Sequence, residues 1–254
     1  MKLILLDLDD TLLRSDKSIS EYTVKMLKRC QSKGILVGFC TARGESNIFP
    51  YIRLINPEVI ISSSGALVKY KGDIIYSSMF SADEVKNLID KSFELTDGSC
   101  EITVDTLDKY YANYEDLQEY KCNNWGEVTH TDYTNFSEQA LKICVNLDNE
   151  TLAQQVADSV DNCDMVHFTG SNWYKYSKSN ATKDCAIKEL SKILDIPYSE
   201  MIAFGDDYGD IEMLKLCGKG IAMKNAVNEV KNIADELTLS NNDDGVAVYL
   251  EKII

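Results

Sequence analysis

Leu3-Ile4-Leu5-Leu6-Asp7-Leu8-Asp9-Asp10-Thr11 is the stretch on which the fold turns. Four apolar residues in a row suit a short strand buried on both faces of a parallel sheet, and the carboxylates begin where such a strand emerges. In α/β sheets, ligands bind beyond the carboxyl ends of the strands. Two carboxylates one residue apart repel unless a cation, a proton or hydrogen bonds offset them. Taken alone, the segment reads equally as a solvated acidic loop that turns the chain.

A second stretch of the same kind lies far downstream. Met201-Ile202-Ala203-Phe204 runs into Gly205-Asp206-Asp207-Tyr208-Gly209-Asp210, and a helical pattern follows at Ile211, Met213, Leu214 and Leu216. Asp206 and Asp210 can then face one volume. Acidic oxygens from two strand ends are the ligand type of a hard divalent cation, and magnesium takes one or two carboxylates while keeping several waters. A third apolar run, Ile35 to Cys40, ends at Thr41-Ala42-Arg43-Gly44, where a hydroxyl and free amides at a strand-to-helix turn can hold phosphate oxygens. Lys183 opens the helical pattern Ala186, Ile187, Leu190, Ile193, Leu194, against the helix dipole, which an anion in front of it would explain. Thr41 alone would pass as a helix cap and Lys183 alone as a surface lysine. Their combination with the two acidic strand ends points to a phosphate site beside a cation.

These motifs resemble the haloacid dehalogenase-like (HAD) superfamily, in its Cof-type sugar-phosphatase branch with a large α/β cap. Its four signatures stand here in order at Asp7/Asp9/Thr11, Thr41, Lys183 and Gly205/Asp206/Asp210. The tail Gly220-Ile221-Ala222-Met223-Lys224-Asn225-Ala226, with Ala234-Asp235 and Asp244-Gly245-Val246, matches the branch as well. The resemblance implies an α/β fold, a Rossmann-like parallel-sheet core with an inserted α/β cap domain. It implies a Mg2+-dependent phosphatase that hydrolyses a small phosphoester metabolite, a sugar phosphate above all, through an aspartyl-phosphate. In that pattern Asp7 is the nucleophile and Asp9 the general acid and base. Asp7, the Asp9 carbonyl, Asp206 and Asp210 hold Mg2+, Asp210 directly or through water. Thr41, Ala42, Arg43 and Lys183 bind the transferring phosphoryl group, with Thr41 and Lys183 counted in the catalytic set. A phosphotransferase or mutase using the same aspartyl-phosphate, and a non-enzymatic phospho-ligand sensor, are the alternatives.

Four positions depart from the branch pattern. Ala42 stands where glycine is usual, so the turn must accept a Cβ. Ser64-Gly65-Ala66 replaces Asn-Gly-Ala, Asp184 follows Lys183 in place of glycine, and Gly209 replaces an asparagine just before the last acid.

Composition agrees with two domains. The 254 residues are 44% hydrophobic, with three prolines and no low-complexity stretch, which argues for real cores without long linkers. A net charge of −15, 26 basic against 41 acidic residues, speaks against nucleic acid as partner. Eight scattered cysteines without a Cys-x-x-Cys pair read as free thiols in a reducing compartment. Met1-Lys2 leads into too few apolar residues for a signal peptide, and no stretch approaches membrane-spanning length. A cytoplasmic, soluble protein without a membrane partner, monomer or homodimer, is expected.

Along the chain, helices are expected at Glu21–Ser32 and Glu45–Leu54, strands near Ile35 and at Val59–Ser62, and a hairpin turning at Lys71-Gly72-Asp73. Residues 82 to about 178 differ in character and hold half of the tyrosines, both tryptophans and both histidines. Helices are expected there at Asp83–Leu95 and Glu150–Val160, and strands at Ile102–Val104, Leu141–Leu147 and Met165–Thr169. The expected division is a discontinuous catalytic core, 1–80 and 179–254, around a substrate-selecting cap, 81–178. Within the cap Asn113, Tyr114, Trp125, His130, Asn172, Trp173 and Tyr174 are candidates for substrate contact. Ordinary packing explains each of them as well, and His130 and His167 are more economically structural than acid–base groups.

Overall fold

The computed structural model describes residues 1–114, 128–168 and 170–254. In chain order its elements begin with β1 (Leu3–Leu6), α1 (Glu21–Ser32), β2 (Leu36–Cys40), α2 (Phe49–Ile55), β3 (Val59–Ser62), β4 (Leu67–Tyr70) and β5 (Asp73–Ser77). There follow α3 (Ala82–Leu95), β6 (Ile102–Asp105), β7 (Tyr110–Ala112), β8 (Val128–His130), β9 (Lys142–Asn146), α4 (Glu150–Ala157), β10 (Cys163–His167) and β11 (Trp173–Lys178). The chain closes with α5 (Lys183–Leu194), β12 (Met201–Gly205), α6 (Ile211–Leu216), β13 (Lys219–Ala222), α7 (Asn228–Ile233), β14 (Glu236–Leu237) and α8 (Gly245–Ile253). The fold class is the expected α/β. The elements fall into two compact units, Met1–Arg43, Phe49–Tyr76 and Thr182–Ile254 in one, Gly44–Ile48 and Ser77–Ala181 in the other.

The first unit is built on a sheet ordered β14-β13-β12-β1-β2-β3-β4-β5. β14 through β3 run parallel, and β4 turns antiparallel against β3. β1 lies between β12 and β2, with Leu6 opposite both Phe204 and Phe39. Every residue of β1 is fully buried, as its unbroken apolar run requires of a strand with helices on both faces. This register brings Asp7, Thr41 and Asp206, the residues that follow β1, β2 and β12, to the same carboxyl edge of the sheet. The hairpin turns where expected, Lys71 (φ +50°) and Gly72 (φ +95°) supplying the two left-handed residues of a tight two-residue turn.

The second unit is a sheet ordered β10-β11-β9-β6-β7-β8, antiparallel except between β7 and β8. Val85, Leu88 and Ile89 of α3 and Ala153 and Val156 of α4 form one core with Ile102, Val104, Ile143, Val145, Tyr174 and Tyr176 from the sheet. The α3 start is fixed by a capping box in which Ser81 and Glu84 satisfy each other's backbone amides. Tyr176, fully buried on β11, donates its hydroxyl to the Ala153 carbonyl at 3.1 Å and ties sheet to helix.

Some expectations shift. The helix expected over Glu45–Leu54 is a 3₁₀ turn at Glu45–Ile48 followed by α2. Pro50 accounts for the break, because its ring would clash with the carbonyl four residues earlier in a continuous helix. β7, β8 and β11 were not separately anticipated, the first two being too short to show a period. α4 ends at Ala157, and β10 starts two residues before the expected strand. Among the described residues, Cys30, Cys40, Cys100, Cys144, Cys163, Cys185 and Cys217 are free thiols, and no helix is long and apolar enough to cross a membrane.

Two substitutions test the packing by urea unfolding. Leu5→Ala, in the fully buried β1, should destabilise the first unit by about 2–5 kcal/mol. Tyr176→Phe keeps the ring and removes one buried hydrogen bond, so the second unit should lose only about 1 kcal/mol. A Leu5→Ala midpoint within error of wild type would contradict the buried central strand.

Candidate active site

Asp7 leaves β1 with its amide hydrogen-bonded to the Phe204 carbonyl at 3.1 Å, so β12 sets where its side chain starts. The chain then makes a wide turn in which the Leu12 and Leu13 amides reach back five residues, to the Asp7 and Leu8 carbonyls. Asp10 sits at its apex in the left-handed region (φ +56°). Such wide helical turns recur at functional sites. This one sets Asp7 and Asp9 on different environments despite their nearness in sequence.

Asp7 belongs to a buried ion cluster. Lys183 Nζ donates to Asp7 Oδ1 and to Asp210 Oδ1, both at 2.6 Å. Thr11 Oγ donates to Asp206 Oδ1 at 2.6 Å. Carboxylate oxygens of Asp7, Asp206 and Asp210 lie within 4.8 Å of one another. Asp210 reaches this position by folding back: its Oδ2 accepts the Asp206 and Asp207 amides at 2.9 and 3.2 Å. A Cβ on Gly205 would stand 2.5 Å from the Asp210 Cβ, which is why glycine precedes this acidic turn. Both Asp210 oxygens are thus occupied, while Asp7 Oδ2 and Asp206 Oδ2 have no hydrogen-bond donor among the described residues.

Burial raises the Asp7 pKa well above the carboxylate range; Lys183 opposes the shift, and Asp210 and Asp206 add to it. Asp206 is pushed up to about 7, chiefly by burial, with Asp210 and Asp10 adding to it against the Thr11 hydrogen bond. For Lys183, burial works against the charge, but Asp7 and Asp210 outweigh it and hold the ammonium protonated. The cluster therefore has one cation for three carboxylates. It is an all-oxygen donor set with two open lone-pair directions, and a divalent cation fits it on both charge and ligand type.

Asp9 is held elsewhere. Arg43 grips it with two prongs, Nε to Oδ2 and Nη2 to Oδ1, each at 2.6 Å, and Lys17 Nζ adds a bond to Oδ1 at 2.8 Å. Burial would raise the Asp9 pKa, but the Arg43 and Lys17 hydrogen bonds outweigh it and hold the carboxyl below its ordinary value. Lys17 is presented by a tight turn in which it takes a left-handed conformation (φ +63°) and Tyr51 anchors its carbonyl. Sequence reading did not single out Lys17; its only signal is its place in the polar turn after the first motif. Arg43, expected on phosphate, is bound to Asp9.

Thr41 is buried at the end of β2, and its Oγ accepts the Arg43 amide at 3.1 Å. The departures are absorbed locally. Ala42 is exposed and lies outside the left-handed region, so its Cβ costs nothing. Gly209 also avoids positive φ, and a Cβ there would meet open space. Asp184 faces its own helix, accepting from Thr182 Oγ1 at 2.6 Å and Lys188 at 2.7 Å.

In the second unit, Asn113 serves the backbone, accepting from the Ile102 amide and donating to the Cys100 carbonyl. Tyr114 and Trp173 are in ring contact at 5.8 Å, and His167 stacks on Tyr174 at 4.6 Å. His130 is exposed at the end of β8, the Asn172 carbonyl accepts the Leu147 amide, and Trp125 lies outside the described residues.

Residues 4–250 match the haloacid dehalogenase-like hydrolase family. Among characterised relatives, the 5-amino-6-(5-phospho-D-ribitylamino)uracil phosphatase YitU of Bacillus subtilis is 29% identical, over 98% of this chain and 96% of its own. Phosphatase YwpJ of the same organism is 25% identical over the full length of both. A solved haloacid dehalogenase-like hydrolase from Bacteroides thetaiotaomicron superposes with a TM-score of 0.88 at 24% identity, covering 100% of this chain and 99% of that one.

The surplus of negative charge has a pH signature. With a folded pKa near 7 against an ordinary 3.8, Asp206 contributes its full stability below pH 4 and has lost it once the pH has risen through 7. In chelator, Asp206→Asn should therefore melt above wild type at pH 8 and show no such gain at pH 4. Equal melting temperatures at pH 8 would remove the repulsion.

Proposed function

Because the chain belongs to the haloacid dehalogenase-like hydrolases, we propose that it is a Mg2+-dependent phosphatase of small phosphoesters, acting through an aspartyl-phosphate on Asp7. The observation that carries the reading is the buried cluster in which Lys183 bridges Asp7 and Asp210 beside Asp206. Asp206 through its open second oxygen, Asp7 through the oxygen that Lys183 also holds, and the Asp9 carbonyl would hold the ion. Asp210, with both oxygens engaged, orients the lysine and the loop and meets the ion only through water. Bound Mg2+ would keep both carboxylates ionised and offset charge on the phosphoryl oxygens.

The residues then divide the work. Lys183 holds Asp7 in place through Oδ1 and leaves Oδ2 to attack phosphorus as the ester oxygen departs. Asp9 protonates that oxygen in the first half-reaction and takes a proton from the attacking water in the second. The Arg43 and Lys17 grip favours the carboxylate form of Asp9, which is the form the second half needs; for the first half that grip has to loosen so that Asp9 carries the proton it gives up. The Thr41 hydroxyl and Lys183 bind phosphoryl oxygens, and the Ala42 and Arg43 turn contributes to that pocket. With Asp184 bound to Lys188 and Gly209 unstrained, nothing at those positions favours the sensor reading over catalysis.

The second unit, taken as 81–178, would be the cap that selects the substrate. The relative that acts on a phosphorylated ribityl chain supports a sugar or polyol phosphate here. The aromatic residues Tyr114 and Trp173 suit a ring or polyol carbon face.

Phosphate release from a panel of sugar, polyol and other small phosphoesters, with Mg2+ and with chelator, tests the reading. Release should require the metal and fall by roughly 10³-fold or more in Asp7→Asn, which keeps the shape but cannot act as a nucleophile. Substantial turnover in that variant would remove Asp7 from the role. Transfer to an added hydroxyl acceptor outrunning hydrolysis would make the protein a phosphotransferase.

A further inference from the structure

Between β3 and β4 the chain takes three successive left-handed residues, Ser63 (φ +50°), Ser64 (φ +63°) and Gly65 (φ +111°). Single residues visit this region, but runs of it are costly, about 1–3 kcal/mol for each non-glycine residue. Here the arch is held from two sides. On one, the Ser63 amide donates to the Arg43 carbonyl at 2.8 Å and the Ser64 amide to the Thr41 carbonyl at 3.0 Å. On the other, Gly65 lies so close to the start of α5 that a Cβ would stand 2.2 Å from the Thr182 carbonyl oxygen and 3.0 Å from the Lys183 amide. That carbonyl also accepts the first bond of α5, from the Ala186 amide at 3.0 Å. The arch therefore touches the backbone of both residues that would hold the phosphoryl group.

We propose that Ser63–Gly65 is a positioning element that sets Thr41 relative to Lys183, its strain being the cost of bringing the β2 turn and the start of α5 against one tight loop. The inference rests on the phosphatase reading for what Thr41 and Lys183 do. Neither arch serine needs to touch substrate. The arch's contacts to the Thr41 and Arg43 carbonyls and to the start of α5 are made through the backbone, so the positioning role makes tolerance at Ser64 follow φ: glycine and asparagine enter the left-handed region readily, while a β-branched residue does not. At Gly65 any side chain forces α5 outward and moves Lys183 away from Asp7 and Asp210. A displacement of about 1 Å at a phosphoryl ligand is enough for a loss near 100-fold.

Steady-state hydrolysis of p-nitrophenyl phosphate with Mg2+ and thermal unfolding test this on four variants. Ser64→Gly and Ser64→Asn should keep kcat within about twofold and melt at or above wild type. Ser64→Val and Gly65→Ala should lose kcat by about 10- to 100-fold, more than KM changes, while remaining folded. Wild-type kcat in a folded Gly65→Ala or Ser64→Val protein overturns the proposal. A thermal double-mutant cycle of Gly65→Ala with Lys183→Met needs no activity. If the arch positions the lysine, the two shifts are non-additive, because the displaced α5 no longer strains ion pairs that are absent. Additive shifts overturn it. Should the wild-type protein hydrolyse nothing, the phosphatase reading falls and the cycle decides the arch alone, with Ser64→Val replacing Gly65→Ala if the latter does not fold.

Discussion

The Lys183 ammonium, held at 2.6 Å from both Asp7 and Asp210, is the interaction from which the rest of the site follows. A lysine at the first position of a helix opposes the macrodipole, and burial opposes its charge. Only the two carboxylates make the arrangement tolerable. The reverse holds for them, since among the described residues Lys183 is the cation that donates to these acids at one buried edge of the sheet. Buried ion pairs add little net stability compared with apolar packing of the same volume. The cluster makes sense as a receptacle whose uncompensated negative charge is the one a divalent cation would offset under the proposed function.

Asp9 belongs to a second, separate electrostatic group with Arg43 and Lys17. Two acids two residues apart thus have opposite surroundings, one raised by burial among other acids and the other lowered by two cations. The wide turn at Leu8–Leu12 makes this divergence possible by changing the direction of the chain between them.

Much of this was legible in the chain. Apolar runs ending in acids located β1 and β12, and their common edge follows from parallel pairing, so Asp7, Asp206 and Asp210 could be grouped before any coordinates. Lys183 was legible only together with the acidic strand ends, since a helix-opening lysine by itself passes as a surface residue. The Arg43 grip on Asp9 was not, since nothing in Thr41-Ala42-Arg43 says whether the guanidinium turns to substrate or to a carboxylate. The Ser63–Gly65 arch was also hidden, because serine carries no mark of a left-handed backbone. In the second unit, strands as short as Tyr110–Ala112 and Val128–His130 cannot display a period, and their existence depends on the neighbours they pair with.

Strand β1 precedes β2 closely in the chain, yet its partner on the other side is β12, with Leu3 opposite Met201. During synthesis this buried strand waits, paired on one side, while the whole of Ser77–Ala181 leaves the ribosome. Among the described residues, the strands and α-helices of that unit all fall within this one span, which can close its own core in the meantime. The second unit can therefore be finished before the first, and β1 carries an unpaired edge until the last third of the chain arrives.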